Sequence, residues 1–289
     1  MRPSTSYLVC YTSRSGSTFL SEALVNTGVA GRPEEYFNST ARATLGAPVW
    51  IEDWRTKSVS EALAAIVEYG TTENGVFGAQ VGWWQLSSVT EQLRRQTGDR
   101  TTPMAQIIGG LFPNLRYIWV TRRDKVRQAV SLSKAYQSDA WMSQGGAGSR
   151  PESPRFNFHF VTGALREIIE HEAAWSGYFA SAGIVPHTVV YEDLALDYEP
   201  TVRRVLEFLE IRLPEGYVFP APRMQKQADA VSEEWVRRYY ESERASRRWR
   251  LLATIPVALG SRTLRQAYIV PRLKRGLSRA PALLRRQGS

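Results

Sequence analysis

Short apolar runs alternate along the chain with longer segments in which apolar residues recur at helical spacing. The short runs at residues 7–11, 76–81, 115–121 and 188–191 are rich in strand-forming residues and predict buried strands. The longer segments predict helices at residues 19–26, 58–69, 86–95, 104–111, 157–180 and 198–209, and a further helix that ends near Tyr136. Strands that alternate with helices predict an α/β fold built around a mostly parallel central sheet flanked by helices.

Two neighbouring stretches in the second half of the chain have contrasting patterns. Residues 138–155 are rich in Gly, Ser and Pro, which indicates a mobile loop and, at this length, a candidate lid. The helical segment after this loop has its apolar residues on one side. Its predicted inward face consists of Leu165, Ile168, Ile169, Ala173 and Phe179.

The first predicted strand is followed by a loop of small and hydroxyl residues, Thr12-Ser13-Arg14-Ser15-Gly16-Ser17-Thr18. A strand, such a loop and a helix start form an anion site, because the unpaired N–H groups and the positive end of the helix face the same point. The loop lacks the GxxxxGK[ST] pattern of a Walker A motif, and with it the phosphate-binding lysine. Taken alone, the stretch is equally consistent with an ordinary Ser/Gly-rich turn that caps a helix.

Composition and charge narrow the class of protein. The chain has 289 residues, of which 43% are hydrophobic, and its single cysteine, Cys10, excludes an internal disulfide. No apolar run is long enough to cross a membrane, and we expect a cytoplasmic protein. The net charge of +9 is concentrated at one end, since residues 241–289 hold 12 Lys and Arg against 2 Asp and Glu, whereas residues 1–240 hold 25 against 26. A near-neutral body predicts no nucleic-acid partner.

The anion loop and a second segment together resemble a known enzyme class. Arg14 to Thr18, followed about a hundred residues later by FPNLRYIWVTRRDKVRQAVS at 112–131, resemble the sulfotransferases that use 3′-phosphoadenosine-5′-phosphosulfate (PAPS). The resemblance implies a P-loop-like three-layer α/β fold. It also implies that Arg14, Ser15, Gly16, Ser17 and Thr18 hold the 5′-phosphosulfate, and that Arg122 and Ser131 hold the 3′-phosphate.

Within this class the chain is similar to the bacterial trehalose 2-sulfotransferase family over roughly residues 5–243. The residues that carry the similarity are Thr27–Gly31, Pro33, Glu35, Phe37, Gly78, Gln128–Ser131, Gln227–Asp229 and Glu234–Val236. Two positions depart from the family pattern, because Gln80 stands where a lysine is expected on the second strand and Lys226 where an arginine is expected. A lysine keeps the charge of an arginine but not its bidentate geometry.

The resemblance assigns roles in sulfuryl transfer to particular residues. Glu35 matches the family's general base, with Glu34 as the near rival in a loop where a one-residue slip is easy, and Arg14 is also placed to stabilise leaving-group charge. Lys226 and Gln227 are expected to close over the nucleotide. The three histidines are assigned no catalytic role, the segment Tyr191–Leu194 is interpreted as scaffold, and no cluster with metal-ligand spacing is found, so no metal is expected.

The expected acceptor is a carbohydrate hydroxyl, on trehalose or a related glycoside or glycolipid. Tyr36, Phe37 and Trp83 are the predicted acceptor contacts, within a wider set of candidate sugar-stacking aromatics formed by Trp50, Trp54, Trp84 and Trp141. Family members of this type are homodimers, and we expect the same here. Two rival functions stay open, namely another nucleotide-dependent transferase such as a kinase, which the missing Walker lysine disfavours, and a catalytically impaired nucleotide-binding protein, which Gln80 favours.

The chain is predicted to consist of a sulfotransferase domain at residues 1–243 and a basic amphipathic tail at residues 244–289. The tail interleaves its basic residues with apolar ones and is interrupted by Pro256 and Pro271. One interpretation is peripheral contact with an anionic surface at the inner membrane face, which would favour a glycolipid acceptor. The other is a helix packed on the body and followed by a disordered end.

Overall fold

The structure is a computed structural model that describes residues 3–37, 59–138, 154–222 and 230–254. Several predictions fall on other residues and are not addressed by it. They concern most of the candidate lid at 138–155, the nucleotide-loop residues Lys226 and Gln227, the aromatics Trp50, Trp54 and Trp141, and the tail beyond Thr254.

The described residues form a four-stranded parallel sheet in the order β2-β1-β3-β4. Its strands are β1 at Thr5–Tyr11, β2 at Val76–Gly82, β3 at Leu115–Thr121 and β4 at His187–Val190. All four predicted strands are confirmed. The chain moves from β1 to β2 on one side and then crosses β1 to reach β3 and β4 on the other. This reversal places a crevice beyond the carboxyl ends of β1 and β3, where open α/β sheets bind ligands.

The described helices agree with the predicted segments, with two additions. They are α1 at Ser17–Asn26, α2 at Val59–Gly70, α3 at Trp83–Thr97, α4 at Met104–Leu111, α5 at Lys125–Ser138, α6 at Phe158–Ala182, α7 at Tyr191–Leu196, α8 at Tyr198–Phe208 and α9 at Ala230–Thr254. The additions are α7 and α9. Tyr191 begins α7 instead of ending the last strand, as the sequence pattern predicted.

Alternating side chains of the sheet pack into two separate cores. On one face, Tyr7 and Val9 of β1 pack with residues of α1 and α8. On the other face, Leu8 and Cys10 pack with residues of α2, α3, α4 and α6. Since each fully buried aliphatic side chain contributes roughly 1.5–3 kcal/mol, both faces of the sheet stabilise the fold. The predicted three-layer α/β architecture is confirmed.

The predicted inward face of α6 is wrong in part. Ile168 and Phe179 are buried as predicted, but the side chain of Ile169 is 53% exposed and Ala173 is also exposed. The helix contributes to two different cores. Its first half packs with α5 and α9 through Val161, Ala164 and Ile168, and its second half packs on the sheet through Trp175, Tyr178 and Phe179.

Helix α9 runs without interruption through residue 243, where the sequence suggested a domain boundary. The chain divides into two units at residues 1–240 and 241–289, so the helix belongs to both. Within the described ranges, no helix has the length and apolarity needed to cross a membrane.

Candidate active site

The loop between β1 and α1 is bent by two residues in the left-handed region. Arg14 has φ of 65° and Gly16 has φ of 95°. The amide of Ser15 donates to the carbonyl of Thr12 at 3.1 Å, and the carbonyl of Gly16 accepts from Phe19 and Leu20, which starts α1. Gly16 is the N-cap residue and supplies no side chain to the first amides of the helix. The N-cap residue thus leaves those amides available to an anion bound at the loop.

Helix α5 fastens this loop from the side of β3. The fully buried amide of Gln128 donates to Thr12 Oγ1 and to the carbonyl of Ser13, both at 2.9 Å. Arg14 Nε donates to Ser131 Oγ at 3.0 Å, across 117 residues of sequence. The structure thus brings Arg14 of the first predicted motif into contact with Ser131 of the second.

A second partly buried arginine faces the same crevice. Arg122 follows β3, and its guanidinium lies 4.6 Å from the ring centroid of Tyr191. Burial lowers the pKa of Arg122. Burial also lowers the pKa of Arg14, and the charge of Arg122 lowers it further. Two like charges held close together in a partly desolvated site favour an anion, which relieves both the repulsion and the desolvation.

Helix α7 holds the segment that carries Arg122. Glu192 Oε2 accepts from the amide of Arg123 at 3.0 Å, and Glu192 Oε1 accepts from the amide of Asp124 at 3.3 Å. The same carboxylate lies 3.7 Å from Arg122 Nε. Arg123 Nη2 donates to both carboxylate oxygens of Asp193, at 2.7 and 2.6 Å. The predicted scaffold segment at Tyr191–Leu194 therefore fixes the position of Arg122.

One buried hydroxyl at this site has no protein partner. Ser15 is fully buried, and within the described part of the chain its Oγ has no hydrogen-bond partner. A buried hydroxyl without a partner costs about 1–3 kcal/mol. A phosphate or sulfate oxygen bound to the loop would supply the missing acceptor. The donors present at Arg14, Ser15 and the start of α1 fit the anionic groups of PAPS.

The two neighbouring glutamates before the first gap lie in different environments. Glu34 is 5% exposed, and burial raises its pKa against an opposing effect of Arg32. Glu35 is half-buried, and its Oε1 accepts from Gln80 Nε2 at 3.1 Å. Burial raises the pKa of Tyr11 well above its usual value, and the Glu35 carboxylate, which accepts a hydrogen bond from the Tyr11 hydroxyl, raises it further. Glu35 therefore lies beside the last residue of β1, directly before the anion loop.

The predicted acceptor contacts Tyr36 and Phe37 are core residues. Tyr36 is 1% exposed, stacks on Phe77 and donates its hydroxyl to the carbonyl of Arg32, and Phe37 is 7% exposed. Neither ring offers a face to a sugar, so this part of the predicted acceptor site is wrong. Both rings instead belong to the hydrophobic core that includes Phe77 of β2.

Among the tryptophans, the structure distinguishes Trp83 from Trp84. Trp83 is partly buried and packs edge-to-face on Trp175, with ring centroids 5.3 Å apart. Trp84 is 37% exposed and lies with its ring centroid 5.7 Å from that of Tyr11 and 5.5 Å from that of His171. Trp84 and His171 therefore lie on the side of the site that holds Glu35. Sequence reasoning named Trp84 only as one of several aromatics and assigned His171 no catalytic role.

Helix α6 covers the carboxyl ends of β1 and β3. Trp175 Nε1 donates to the carbonyl of Tyr11 at 3.0 Å. Glu172 accepts from Thr121 Oγ1 at 2.6 Å and forms an ion pair with Lys125. The charge of Lys125 is thus matched within the protein. Among the described residues, no cluster of His, Cys, Asp and Glu side chains has the arrangement of a metal site.

Comparison with known proteins identifies the family. A family model described as Stf0 sulphotransferase matches residues 6–242. The chain belongs to the Stf0 sulphotransferase family. It is 30% identical to a trehalose 2-sulfotransferase of Mycolicibacterium smegmatis, over 81% of this chain and 94% of the relative. It is 28% identical to a trehalose 2-sulfotransferase of Mycobacterium tuberculosis, over 81% and 93% respectively.

Solved structures of sulfotransferases also resemble this Stf0 member. One from Alicyclobacillus acidocaldarius matches with a TM-score of 0.46 and 14% identity, over 85% of this chain and 94% of that chain. The sulfotransferase domain from the curacin biosynthetic pathway matches with a TM-score of 0.44 and 13% identity, over 80% and 83%.

The Stf0 member thus has most of its predicted donor-site residues at one crevice. The residues gathered there are Arg14, Ser15, Gly16, Ser17, Thr18, Arg122 and Ser131, with Glu35 at the neighbouring strand end. Sequence reasoning did not anticipate Gln128, which fastens the loop, or Glu192, which holds Arg122. Gln128 lies in a segment that carries the family similarity, and Glu192 lies in the segment interpreted as scaffold.

Proposed function

We propose that this chain transfers a sulfuryl group from PAPS to a hydroxyl of a carbohydrate, with trehalose or a related glycoside or glycolipid as the acceptor. The observation that carries the proposal is the contact of Arg14 with Ser131, together with the effect of the Arg122 charge, which lowers the pKa of Arg14. It joins the two halves of a site for a ligand with two separate anionic groups. The names of the mycobacterial relatives support the choice of sulfate as the group transferred and of a sugar as its acceptor.

PAPS would be held at one end by the anion loop and at the other end by Arg122 after β3 and Ser131 on α5. Ser15, Gly16, Ser17 and Thr18 would bind the 5′-phosphosulfate through amides and hydroxyls, and Arg14 would stabilise the charge that develops on the leaving phosphate. Arg122 and Ser131 would bind the 3′-phosphate. Lys226 and Gln227 remain predicted nucleotide contacts. The expected homodimer and the cytoplasmic location likewise remain predictions.

The reaction would be an in-line displacement at sulfur. PAPS supplies the sulfuryl group, whose bond to the 5′-phosphate oxygen breaks as the acceptor oxygen bonds to sulfur, so that adenosine 3′,5′-bisphosphate leaves with the electron pair. Glu35 would take the proton of the attacking hydroxyl, because a sugar hydroxyl is a poor nucleophile while it keeps its proton. The chain's main contributions are positioning and neutralisation of charge, as in phosphoryl transfer.

The exposed ring of Trp84 would form the acceptor wall in place of Tyr36 and Phe37. It lies beside Tyr11, whose hydroxyl contacts Glu35, and beside His171, at 30° to the imidazole ring. An aromatic ring next to the base offers an apolar surface for the C–H face of a sugar, while neighbouring polar groups orient its hydroxyls.

The function is tested first by binding and then by transfer. Isothermal titration calorimetry should detect adenosine 3′,5′-bisphosphate and should show much weaker binding of ATP. Radiolabelled PAPS should then label a sugar in a screen of trehalose, other glycosides and a glycolipid fraction. Binding without transfer to any acceptor would favour the catalytically impaired nucleotide-binding protein, and preferential binding of ATP would favour a kinase-like enzyme.

The roles of the two glutamates are separated by a matched pair of variants. Glu35→Gln should lower kcat by about 10²–10⁴-fold, the usual contribution of a general base, and should leave the affinity for adenosine 3′,5′-bisphosphate unchanged. Glu34→Gln changes a neighbouring carboxylate in the same way and should keep turnover, since the charge of Glu34 acts on Tyr36 and Tyr69 beside Arg32. Full activity of Glu35→Gln, or loss of activity only in Glu34→Gln, would overturn the assignment.

A further inference from the structure

Gln80 is a buried amide within a strand whose seven residues are all buried. The residue is 3% exposed. A buried amide destabilises a fold unless its polar atoms are hydrogen-bonded. Its backbone N–H donates to the carbonyl of Glu34 at 2.9 Å. Its side-chain Oε1 accepts from Ser21 Oγ at 3.1 Å, and its Nε2 donates to Glu35 Oε1 at 3.1 Å.

The partners fix which way the amide points. A carboxylate only accepts hydrogen bonds, so the NH2 group of Gln80 must face Glu35. The amide oxygen then faces Ser21, whose hydroxyl can donate. The result is a directional chain from Ser21 on α1, through Gln80 on β2, to the carboxylate of Glu35. Helix α1 begins at the anion loop. These hydrogen bonds therefore connect the donor side of the site with the proposed base.

We propose that Gln80 is a positioning residue that sets the orientation of the Glu35 carboxylate relative to the anion loop. The inference rests on the proposed function, because it takes Glu35 as the base. The Tyr11 hydroxyl from β1 also donates to this carboxylate and contacts Gln85 of α3. The Gln80 amide and the Tyr11 hydroxyl are both neutral at pH 7. A neutral donor orients a base without the cation that would weaken it, because a nearby positive charge favours the ionised form over the protonated one.

The central test replaces the amide with an apolar side chain of similar length. Gln80→Met removes both side-chain hydrogen bonds and should lower kcat by about 10- to 100-fold, the scale of a misplaced catalytic group. The affinity for adenosine 3′,5′-bisphosphate should not change. Thr90→Val is the matched control, since Thr90 is also buried but its hydroxyl donates to the carbonyl of Leu86 within α3. It should alter thermal stability and leave kcat unchanged.

The role of Ser21 is tested by a double-mutant cycle. Ser21→Ala removes one neutral hydrogen bond and should lower kcat by about 2- to 10-fold. In the Gln80→Met background the same change should have no further effect, because the chain from Ser21 to Glu35 is already broken. Additive effects of the two substitutions on kcat would contradict an effect of Ser21 that acts through Gln80.

Gln80→Lys tests whether the side chain at position 80 acts directly on the Glu35 carboxylate. A lysine can donate to Glu35, but its charge favours the ionised carboxylate, so the acidic limb of the pH–rate profile should move to lower pH. An unmoved limb would contradict the contact between position 80 and Glu35. Unchanged kcat in Gln80→Met, in an enzyme that Glu35→Gln inactivates, would overturn the proposal while the proposed function stood.

A readout without turnover keeps the inference testable if the wild-type chain transfers no sulfate. Labelling of Glu35 by a water-soluble carbodiimide can be followed by mass spectrometry of the Glu35 peptide, with Glu35→Gln as the blank. Gln80→Met should change the labelling rate and its pH dependence, and Thr90→Val should not. Equal labelling in the wild type and Gln80→Met would overturn the proposed effect of Gln80 on Glu35. Altered labelling in an enzyme that transfers no sulfate would reject the proposed function alone.

Discussion

Gly16 and the ring of Tyr191 are packed so closely that a larger residue at position 16 cannot fit. A Cβ atom on Gly16 would lie 2.4 Å from Tyr191 Cδ2, and the backbone there has φ of 95°. We expect Gly16→Ala to displace Tyr191 from Arg122 and to weaken binding of adenosine 3′,5′-bisphosphate by about tenfold or more, which is a loss of 1.4 kcal/mol or more. Calorimetric titration of the variant measures the effect.

Gly28→Ala is the control for backbone strain alone. Gly28 also has a positive φ, of 70°, but a Cβ atom there would meet nothing within 4 Å. An alanine in the left-handed region costs about 1–2 kcal/mol at either site, so both variants should melt at lower temperature. Only Gly16→Ala should lose nucleotide affinity. Equal loss of affinity in the two variants would show that general destabilisation, and not the contact with Tyr191, weakens nucleotide binding.

At the scale of single residues, the sequence located residues that meet at the site where these belong to an ordered pair of motifs. It misassigned a residue whose role depends on how deeply its side chain is buried. Arg14 and Ser131 were found because two motif halves occurred in the right order, and the structure joins them. Tyr36 was misassigned because an aromatic residue beside the proposed base fits a sugar wall and a core equally well. Only the tertiary packing against Phe77 separates the two interpretations.

At the scale of elements, the short helix α7 holds the loop that follows β3. Glu192 accepts two consecutive backbone amides from this loop, and it lies near Arg122. Glu192→Ala should therefore release Arg122 and weaken binding of adenosine 3′,5′-bisphosphate. Loss of charge-assisted hydrogen bonds of about 1.5–3 kcal/mol corresponds to about 10- to 100-fold in the dissociation constant. Calorimetric titration at fixed salt concentration checks this value.

A surface glutamate in the next helix provides the comparison. Glu199 forms an ion pair with Arg203 within α8, and its side chain is 49% exposed. Exposed pairs of this kind contribute about 0–1 kcal/mol, so Glu199→Ala should bind the nucleotide like the wild type. If Glu192→Ala also bound normally, α7 would have only a structural role.

Sequence periodicity located most elements but not their partners. β3 spans Leu115–Thr121 as predicted, because its apolar run is bounded by polar residues. α7 was missed, since six residues are too few to show a helical period and Tyr191 also suits a strand. On α6 the buried stripe shifts between two cores, so the single inward face predicted with Ile169 could not hold along the whole helix.

At the scale of the whole molecule, the strand order creates the site. The alternation of strands and helices predicted a parallel sheet, but it gives no order for the strands. In the order β2-β1-β3-β4, β1 and β3 are neighbours although β2 lies between them in sequence. The loops after β1 and β3 therefore meet, and Arg14 and Arg122 face one crevice. A family resemblance could imply this arrangement, whereas the spacing of the residues could not.

The basic tail bears on whether the acceptor is a free sugar or a glycolipid. The sequence predicted a boundary between residues 243 and 244, but α9 continues to Thr254, so a cut at 243 would sever a helix. A version ending at Thr254 keeps every described element and removes 8 of the 12 basic residues of the tail. If the tail binds membranes, the full chain should sediment with vesicles containing phosphatidylglycerol, and the shortened version should sediment much less.

The dependence of sedimentation on charge distinguishes electrostatic attraction to an anionic membrane from adhesion that does not depend on charge. Juxtamembrane basic residues contribute about 1 kcal/mol each near an anionic surface, and salt screens that attraction. Binding of the full chain should therefore weaken on vesicles of phosphatidylcholine alone and at high ionic strength. A full-length variant with Arg272, Lys274 and Arg275 changed to Gln keeps the apolar residues and should bind less tightly. Equal sedimentation of all three proteins would reject the membrane hypothesis, and with it the argument that favours a glycolipid over free trehalose.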